Sequence, residues 1–496
     1  MILLVLLLLP AVTGVLSFFG PRRAIMETLN LAGFAATFLV ALALAASVLR
    51  TGAVSLWDGF LYADHLSALV ILLTASVALL CSAYAVGYLR EDEQSGTLDE
   101  PNGGPDRLSK LRRYYSLTPL FVFSMLLIAV ANNLGVMWAA IEVTTLASVF
   151  LVTFYGQRTS LEAAWKYAII GGVGLSMALF GTIVTDYSGH QLAGSDSLSG
   201  LNWSVLVKHA GQLDKPAMRL AFVLILLGYG TKAGLAPMHT WKPDAYAEAP
   251  PPSGAILSSA MLNCALYGLA RFYILTSRCL GAQYPGRLLL LFGLLSMGVS
   301  VPFILIQKNF RRLLAYHTID HAGIMTTALG IGGPLASLAL MLHMTFHTIA
   351  KSLLFLCAGN VYQFFKTDLF HKIKGSVIRA MPLTGVVFLM AMLAIVGMPP
   401  FSLFQSEFLI VRAALLGGQT LPAILFVLFG TAVFAGAVLH VGSLVLGPGG
   451  ETIAARRPWR DNTILVLAVA LVVIGFWLPA PLLHLIRGAA RIVGGQ

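Results

Sequence analysis

Apolar runs long enough to cross ~30 Å of hydrocarbon recur along the chain from its first residue to residue 486. We count fourteen, near 1–18, 31–49, 64–88, 115–131, 134–155, 163–185, 218–240, 252–276, 288–306, 313–331, 335–361, 382–410, 421–446 and 462–486. Only two connections between them are long. One, 90–113, is punctuated by Gly and Pro and holds eleven charges of mixed sign, which predicts a solvated loop. The other, 187–216, falls on the opposite side. Nothing remains for a soluble domain, so the pattern predicts one all-α polytopic membrane protein of about fourteen transmembrane helices. The first segment starts like a signal peptide but lacks a basic n-region and a small-x-small cleavage site, so we read it as an uncleaved span.

Against this background ionisable residues stand out, because a charge at the bilayer centre costs roughly 2.5–3.5 kcal/mol even on a lenient scale. Glu142 lies mid-segment in Ile141-Glu-Val-Thr-Thr, with no acidic or basic residue within fifteen positions on either side. Lys232 lies in Gly228-Tyr-Gly-Thr-Lys-Ala-Gly, a stretch we read as loosened by its glycines. Desolvation disfavours charge on both residues and a nearby opposite charge restores it, so a Glu–Lys pair that opens and closes takes up and releases a proton. A static buried ion pair is the alternative. Lysine suits the mobile role better than arginine, which stays charged.

His343, His347 and Lys351 are spaced i, i+4, i+8, so each step turns by ~40° and rises by ~6 Å and all three share one stripe. Histidine titrates near neutrality and can pass a proton between its nitrogens, so the stripe reads as a relay. His-x3-His also suits zinc, but no Glu follows His343 and no third ligand is in sight, so no metal is expected. Glu407 is either a terminal relay group or an interfacial charge. Glu162 and Lys166 form an i, i+4 pair near a helix start, where an ordinary surface pair is equally open. Asp320 and His321 lie deep enough to join the path, and Asp64, His239 and His440 complete the candidates.

The charges hint at a repeat. Glu142 to Lys232 spans 90 residues and Asp320 to Glu407 spans 87, while Glu142 to Lys166 is 24 and Asp320 to His343 is 23. An offset near 175–178 across five helices flips the second copy, which predicts two inverted five-helix repeats. The chain then divides into 1–114 (three helices and the polar loop), 115–276, 288–446 (inverted) and 447–496 (the last helix). Two broken helices strengthen this: one at Gly228, Gly230, Gly234 and Pro237, the other at Gly397-Met-Pro-Pro-Phe, read as corresponding under the same offset. Breaks at matching places in two halves point to a binding or conduction path. An ordinary proline kink in each is the plainer account.

Composition narrows the function. Apolar residues make up 58%, charged residues 11% and the mean hydropathy is +0.83, where soluble domains carry about 25% charge. The net charge of +11 would suit a nucleic-acid binder, but its distribution follows the membrane. With an external N-terminus, twenty of the 32 Lys and Arg fall on the cytoplasmic side, among them Arg22, Arg23, Arg112, Arg113, Arg311, Arg312, Lys372, Lys374, Arg456, Arg457 and Arg460. Ten fall outside, and Lys232 and Lys351 lie within the membrane. That is the positive-inside bias, and it places both termini of a multi-pass inner-membrane protein outside. Cys81, Cys264, Cys279 and Cys357 are scattered without a C-x-x-C, and neither a Walker A motif nor a strand-borne Gly-x-Gly-x-x-Gly is present. We expect no cofactor and no nucleic-acid partner.

Several segments resemble a known family. These are Thr231-Lys-Ala-Gly-Leu-Ala-Pro-Met-His-Thr-Trp-Lys-Pro-Asp-Ala-Tyr-Ala-Glu-Ala-Pro, Arg311-Arg-Leu-Leu-Ala-Tyr-His-Thr-Ile-Asp-His-Ala-Gly, His343-x3-His-x3-Lys-Ser-Leu-Leu-Phe and Gly397-Met-Pro-Pro-Phe. They are similar to the antiporter-like proton-channel subunits shared by respiratory complex I, multisubunit cation/proton antiporters and membrane-bound hydrogenases, over about residues 60–445. Asn132-Asn-Leu-Gly, Ile141-Glu-Val-Thr-Thr-Leu-Ala-Ser, Leu161-Glu-Ala-Ala-Trp-Lys-Tyr and Leu262-Asn-Cys-Ala-Leu-Tyr look most like the F-type membrane component of hydrogenase-4 and formate-hydrogenlyase-type complexes. The chain ends soon after its fourteenth segment, without the long lateral helix of some relatives.

The resemblance implies that Glu142 and Lys232 are the input pair, that His343, His347 and Lys351 are the central relay, and that Glu407 is the exit charge. It departs at Asn263, where complex I members often carry a lysine, at Tyr246, a usual histidine, and at Lys242, a usual leucine. The expected function is proton translocation as one subunit of a redox-driven, hydrogenase-4-like or complex I-like assembly, with electrons flowing in partner subunits. A cation/proton antiporter without a redox partner is the main rival. It should cluster acidic or hydroxyl ligands at one depth, whereas the carboxylates here are spread singly along the sequence. A structural anchor would tolerate neutral substitution at Glu142, and no aromatic-lined pocket favours a solute carrier.

Overall fold

A computed structural model describes residues 1–98, 107–189, 200–373, 377–447 and 458–495. In chain order the helices are α1 (Ile2–Phe18), α2 (Arg23–Thr51), α3 (His65–Gln94), α4 (Arg107–Val130), α5 (Leu134–Val152), α6 (Arg158–Ser188), α7 (Trp203–Lys208), α8 (Lys215–Ala233), α9 (Lys242–Glu248) and α10 (Pro251–Ile256). There follow α11 (Leu262–Leu280), α12 (Gln283–Leu305), α13 (Phe310–Ile331), α14 (Gly333–Phe365), α15 (Val377–Ala380), α16 (Pro382–Ile395), α17 (Ser402–Leu416), α18 (Thr420–Leu446), α19 (Pro458–Phe476) and α20 (Ala480–Gly494). A π turn, Leu257–Met261, joins α10 to α11 in one continuous span. The Tyr246 hydroxyl donates to the Leu257 carbonyl at 2.9 Å, so the residue that replaces a usual histidine satisfies a backbone acceptor at that turn.

The all-α expectation holds but for one small hairpin, β1 (Ala53–Leu56) paired antiparallel with β2 (Leu61–Asp64), which the sequence reading missed. Among the described residues ten helices are long and apolar enough to cross a membrane, fewer than the fourteen segments counted along the chain. The shortfall has local causes. α1 and α16 are apolar but short, and α17 is shorter than a span. α8 carries Lys215, Arg219 and Lys232, and α13 carries Arg311, Arg312 and Asp320. The α10–α11 span is buried from Pro251 to Thr276, and the apolar stretch of α14 is nearly so. These two form the axis of the bundle, and helices such as α2, α12, α18 and α19 show their apolar side chains to the surroundings.

Three segments differ from their sequence reading. The last one, 462–486, is two helices, because Trp477-Leu-Pro-Ala-Pro interrupts it. α20 then packs Leu485, Ile486, Ala489, Ala490 and Val493 inward, against α3 and α14 among others. In the predicted solvated loop 90–113, α3 runs to Gln94 and α4 starts at Arg107, while 99–106 lie outside the described residues. Its charges find partners on other helices. Arg90 pairs with Glu27 at 2.5 Å, Arg23 pairs with Glu93, and buried Asp92 accepts from Tyr155 Oη and Gln363 Nε2 at 2.7 Å each. In 187–216, α7 and a short 3-10 turn at Ala210–Gln212 follow 190–199, which also lie outside the described residues, as do Lys374, Arg456 and Arg457.

The first break lies later than expected. Gly228 and Gly230 are helical, and a side chain at Gly228 would overlap Ala178 and the Gly174 carbonyl, so this glycine lets α6 and α8 approach closely. The chain leaves the helix at Gly234, left-handed at φ 71, and resumes at α9. The second break runs from α16 to α17 through Gly397 at φ 69. Gly234 and Pro237 match Gly397 and Pro400, each pair 163 residues apart rather than 175–178. Lys232 therefore precedes its break and Glu407 follows its own.

Candidate functional site

At the first-half end, the Asn133 side chain caps α5 by accepting from the Gly135 and Val136 amides at 3.0 and 3.1 Å. Two turns on, Glu142 is half-buried beside the exposed Val143 and Leu146, and its Oε2 has no hydrogen-bond partner. Lys232, buried in the last turn of α8, does not touch it. The Lys232 ammonium donates instead to Thr145 Oγ1 and Tyr167 Oη, both at 2.8 Å. Among the described residues no ion pair within 4 Å joins Glu142 to Lys232, so the expected pair stands open. Thr145, three residues beyond Glu142 on α5, lies between their positions. Tyr167 is held in turn by Ser148 Oγ at 2.7 Å and by stacking on Trp241 at 4.4 Å, and Trp241 Nε1 donates to the Thr231 carbonyl at 3.0 Å.

In the second half, α13 supplies His317, Asp320 and His321, and α14 supplies His343, His347 and Lys351, all buried. The rings of His343 and His347 stand nearly parallel at 6.3 Å, as the stripe predicts. The hydrogen bonds, however, run sideways. His321 Nδ1 meets His343 Nε2 at 2.9 Å, and His343 Nδ1 meets Ser406 Oγ at 2.9 Å. Ser406 Oγ lies 2.7 Å from the Leu403 carbonyl, to which it can only donate. Neutral rings satisfy all three contacts in one way: His321 donates to His343, His343 donates to Ser406, and Ser406 donates to Leu403. That assignment leaves His321 Nε2 a bare acceptor, and this atom has no partner. Both nitrogens of His317 and His347, and Lys351 Nζ, likewise lack a protein partner.

Glu407 follows Ser406 on α17 and lies against Gly397. It shares a cavity of about 350 Å3 with Asp320, roofed by Ile395, Gly397, Phe404 and Phe426. Two of the carboxylates spread along the sequence thus line one cavity, contrary to the expectation that they stay single, while Glu142 remains alone. The missing third metal ligand is also supplied in space. The ligand atoms of His321, His343 and Glu407, and those of His317, Asp320 and His321, lie within 4.8 Å of one another in each set. Both sets have donor types suited to a transition metal.

The remaining candidates divide. Asn263 Nδ2 donates to Thr348 Oγ1 at 2.7 Å, next to His347. Lys166 is exposed and pairs with Glu162 at 2.6 Å and Asp244 at 3.1 Å, and Asp244 also meets Arg312 at 3.0 Å, so this group is a surface ion network and not part of the buried set. His440 donates to the Leu305 carbonyl at 2.9 Å and stacks on Phe370, apart from the ring cluster. His239 is buried in the turn after the first break, with Nδ1 unpartnered. Asp64 is closed by Arg271 in two 2.7 Å bonds. Sequence reasoning missed Thr145, Tyr167, His317 and Ser406. Lys242, noted along the chain only as a departure from a usual leucine, is fully buried.

Residues 131–435 match the family described as NADH:quinone oxidoreductase/Mrp antiporter, TM. The chain belongs to this family. A hydrogenase-4 component F homolog of Methylacidiphilum infernorum (isolate V4) is 37% identical over 413 residues, covering 82% of this chain and 84% of that protein. Among solved structures, a chain of the membrane-bound sulfane sulfur reductase, an archaeal respiratory membrane complex, matches with a TM-score of 0.85 at 24% identity, over 99% of this chain and 97% of that one. A chain of the Mrp complex from Dietzia sp. DQ12-45-1b matches with a TM-score of 0.83 at 19% identity, over the same shares. At these identities the two structures show the fold. The resemblance read from the motifs is borne out for family and architecture.

Proposed function

We propose that this chain translocates protons as one multi-pass membrane subunit of a redox-driven complex of the hydrogenase-4 or complex I type. The observation that carries the reading is the buried line His321–His343–Ser406 beside Glu407, with His317, His347 and Lys351 buried around it. Its hydrogen bonds all point one way and its first acceptor is bare, so a proton taken up at His321 can pass to His343; Ser406 must turn off the Leu403 carbonyl before it can hand the proton on. Glu142 and Lys232 serve as the opening pair: closing it would move Lys232 off its two hydroxyls and change which group holds the proton. His343, His347 and Lys351 form the central relay, Asp320 and His321 join it, and Glu407 is the exit group. The protein sits in a cell inner membrane with both termini outside, and electrons flow in soluble and membrane partners. Purification in mild detergent tests this. Redox subunits should co-purify, the assembled complex should acidify vesicles when given its electron donor, and the chain alone should show no chromophore and no electron transfer. Electron transfer by the single polypeptide, or an assembled complex that moves no protons, would reject the reading.

One observation favours cation/proton exchange as a second reading. Asp320 and Glu407 line one cavity, so two carboxylates do meet there. Replacing sodium by choline in the vesicle assay separates the two: exchange stops without sodium, and redox-driven proton translocation does not.

A further inference from the structure

The two hydrogen-bonded groups leave a gap between Lys232 in one half and Lys351 in the other. Where the family resemblance implies a lysine in the eighth segment, this chain has Asn263, whose Nδ2 donates to Thr348 while its Oδ1 has no partner. Lys242, at the start of α9, lies in that gap. It is fully buried, and its ammonium donates to the Ala233 carbonyl, one residue from Lys232. Its stem runs against Gly234, the left-handed residue at which α8 ends. On the other side it is within electrostatic range of Lys351 and His347. Among the described residues no ion pair ties it, so no carboxylate fixes its charge. A lysine placed only for structure would be a poor choice, since burying an unpaired ammonium is costly and leucine would fill the same space.

We propose that Lys242 carries the proton between Lys232 and Lys351, in place of the lysine absent at Asn263. This rests on the proton-translocation reading above. Because its ammonium holds the last turn of α8, a shift at the Gly234 break would move Lys242 and Lys232 together. Lysine can give up its proton when buried and arginine cannot, which separates transfer from a fixed charge.

The test uses the assembled complex in inverted membrane vesicles, reading protons moved per electron beside electron transfer. Lys242→Leu and Lys242→Arg should each slow proton transfer through this chain by about 100-fold, the low end of what a positioned proton-transfer group contributes, and so lower the proton-to-electron ratio. Assembly and melting temperature of the Arg variant should stay near wild type. A Lys242→Arg complex with the wild-type ratio overturns the proposal, because a permanent charge would then suffice. If the Leu variant fails to assemble, the Arg variant decides alone. Glu142→Gln measured alongside keeps two failures apart. If Glu142→Gln also translocates normally, the whole proton path falls; if it is dead while both Lys242 variants run normally, only Lys242 leaves the path.

Discussion

Lys232 and Lys351 are both buried lysines on long helices, yet they are held in opposite ways. Lys232 gives two of its three protons to hydroxyls at 2.8 Å, and of these the Tyr167 hydroxyl is anchored by Ser148 and its ring by stacking on Trp241. Lys351 gives none to any protein atom, and the same holds for both nitrogens of His347 and His317. Leaving a buried polar group unpaired costs about 1–3 kcal/mol, and more for a charged one. A bundle that keeps several such groups on two adjacent helices is not optimised for stability there. On the proton-translocation proposal, the difference would give the two halves different work. In the first half a geometric change has to break existing bonds before a proton moves, which suits a gate. In the second half the acceptors stand ready and water would complete their bonds, which suits a wire.

The comparison breaks most visibly at Glu142. Glu142→Gln keeps shape and hydrogen bonding but removes the charge that would draw Lys232 off Thr145 and Tyr167. Coupled proton translocation should fall by at least about 100-fold, with the complex intact on a native gel. Full activity in an assembled Glu142→Gln complex would leave the first half without a gate. Lys232→Met keeps the stem and removes the ammonium, so alone it should match the glutamate lesion. On the proposal that both residues act in one switch, the double variant should be no worse than either single. Multiplicative losses would mean that the two groups act separately.

Much of this was legible along the chain, for physical reasons. Glu142, Lys232, His343, His347, Lys351 and Glu407 announce themselves because each opposes a strong apolar background. The breaks announce themselves through Gly and Pro. What stayed hidden is whatever depends on neighbours from another helix. Ser406 and Tyr167 are ordinary residues in their own segments and acquire meaning only when α17 meets α14 and when α6 meets α8. His321 carried too little local signal to be ranked with His343, yet it is the ring that His343 bonds. Lys242 follows a proline-rich turn and looks like a loop charge, and only the fold of α9 under Gly234 buries it. Lys166 erred in the other direction: its spacing mimicked the second half, while helix rotation put it on the surface.

Replacing His343 and His347 together by Ala tests the wire. Removing His343 interrupts the His321-to-Ser406 line and removing His347 takes away the adjoining ring, so transfer should slow by about 10-fold or more. That is less than at the gate, because water admitted to the space can carry part of the flow. Metal content should not change. A stoichiometric zinc or nickel ion lost in the double variant would make His321, His343 and Glu407 a metal site and end the wire interpretation.

The smallest effect on transfer is expected at the buried, closed ion pair of Asp64 and Arg271, and it sharpens the contrast. Asp64 and Arg271 are closed on each other by two 2.7 Å bonds, Asp64 also caps α3 at the Ser67 amide, and Trp203 covers the guanidinium at 4.2 Å. Both carboxylate oxygens are engaged, so this pair is scaffold. Burial pushes the Asp64 carboxyl up, but the Arg271 charge and its hydrogen bonds outweigh that and hold it below the usual carboxylate range. A depressed value means that the pair stabilises the fold above the ordinary carboxylate pKa and loses that contribution as pH falls through the lowered one. Arg271→Met, which strands Asp64, should cost about 3–5 kcal/mol and lower the melting temperature at neutral pH. Asp64→Asn combined with Arg271→Met should recover part of the loss, and the gap between wild type and the single variant should narrow in acid. Protons moved per electron by whatever complex assembles should be unchanged in both variants. A lowered ratio there would show that a fully closed pair also gates transfer, and the division between hydrogen-bonded scaffold and open path would have to be given up.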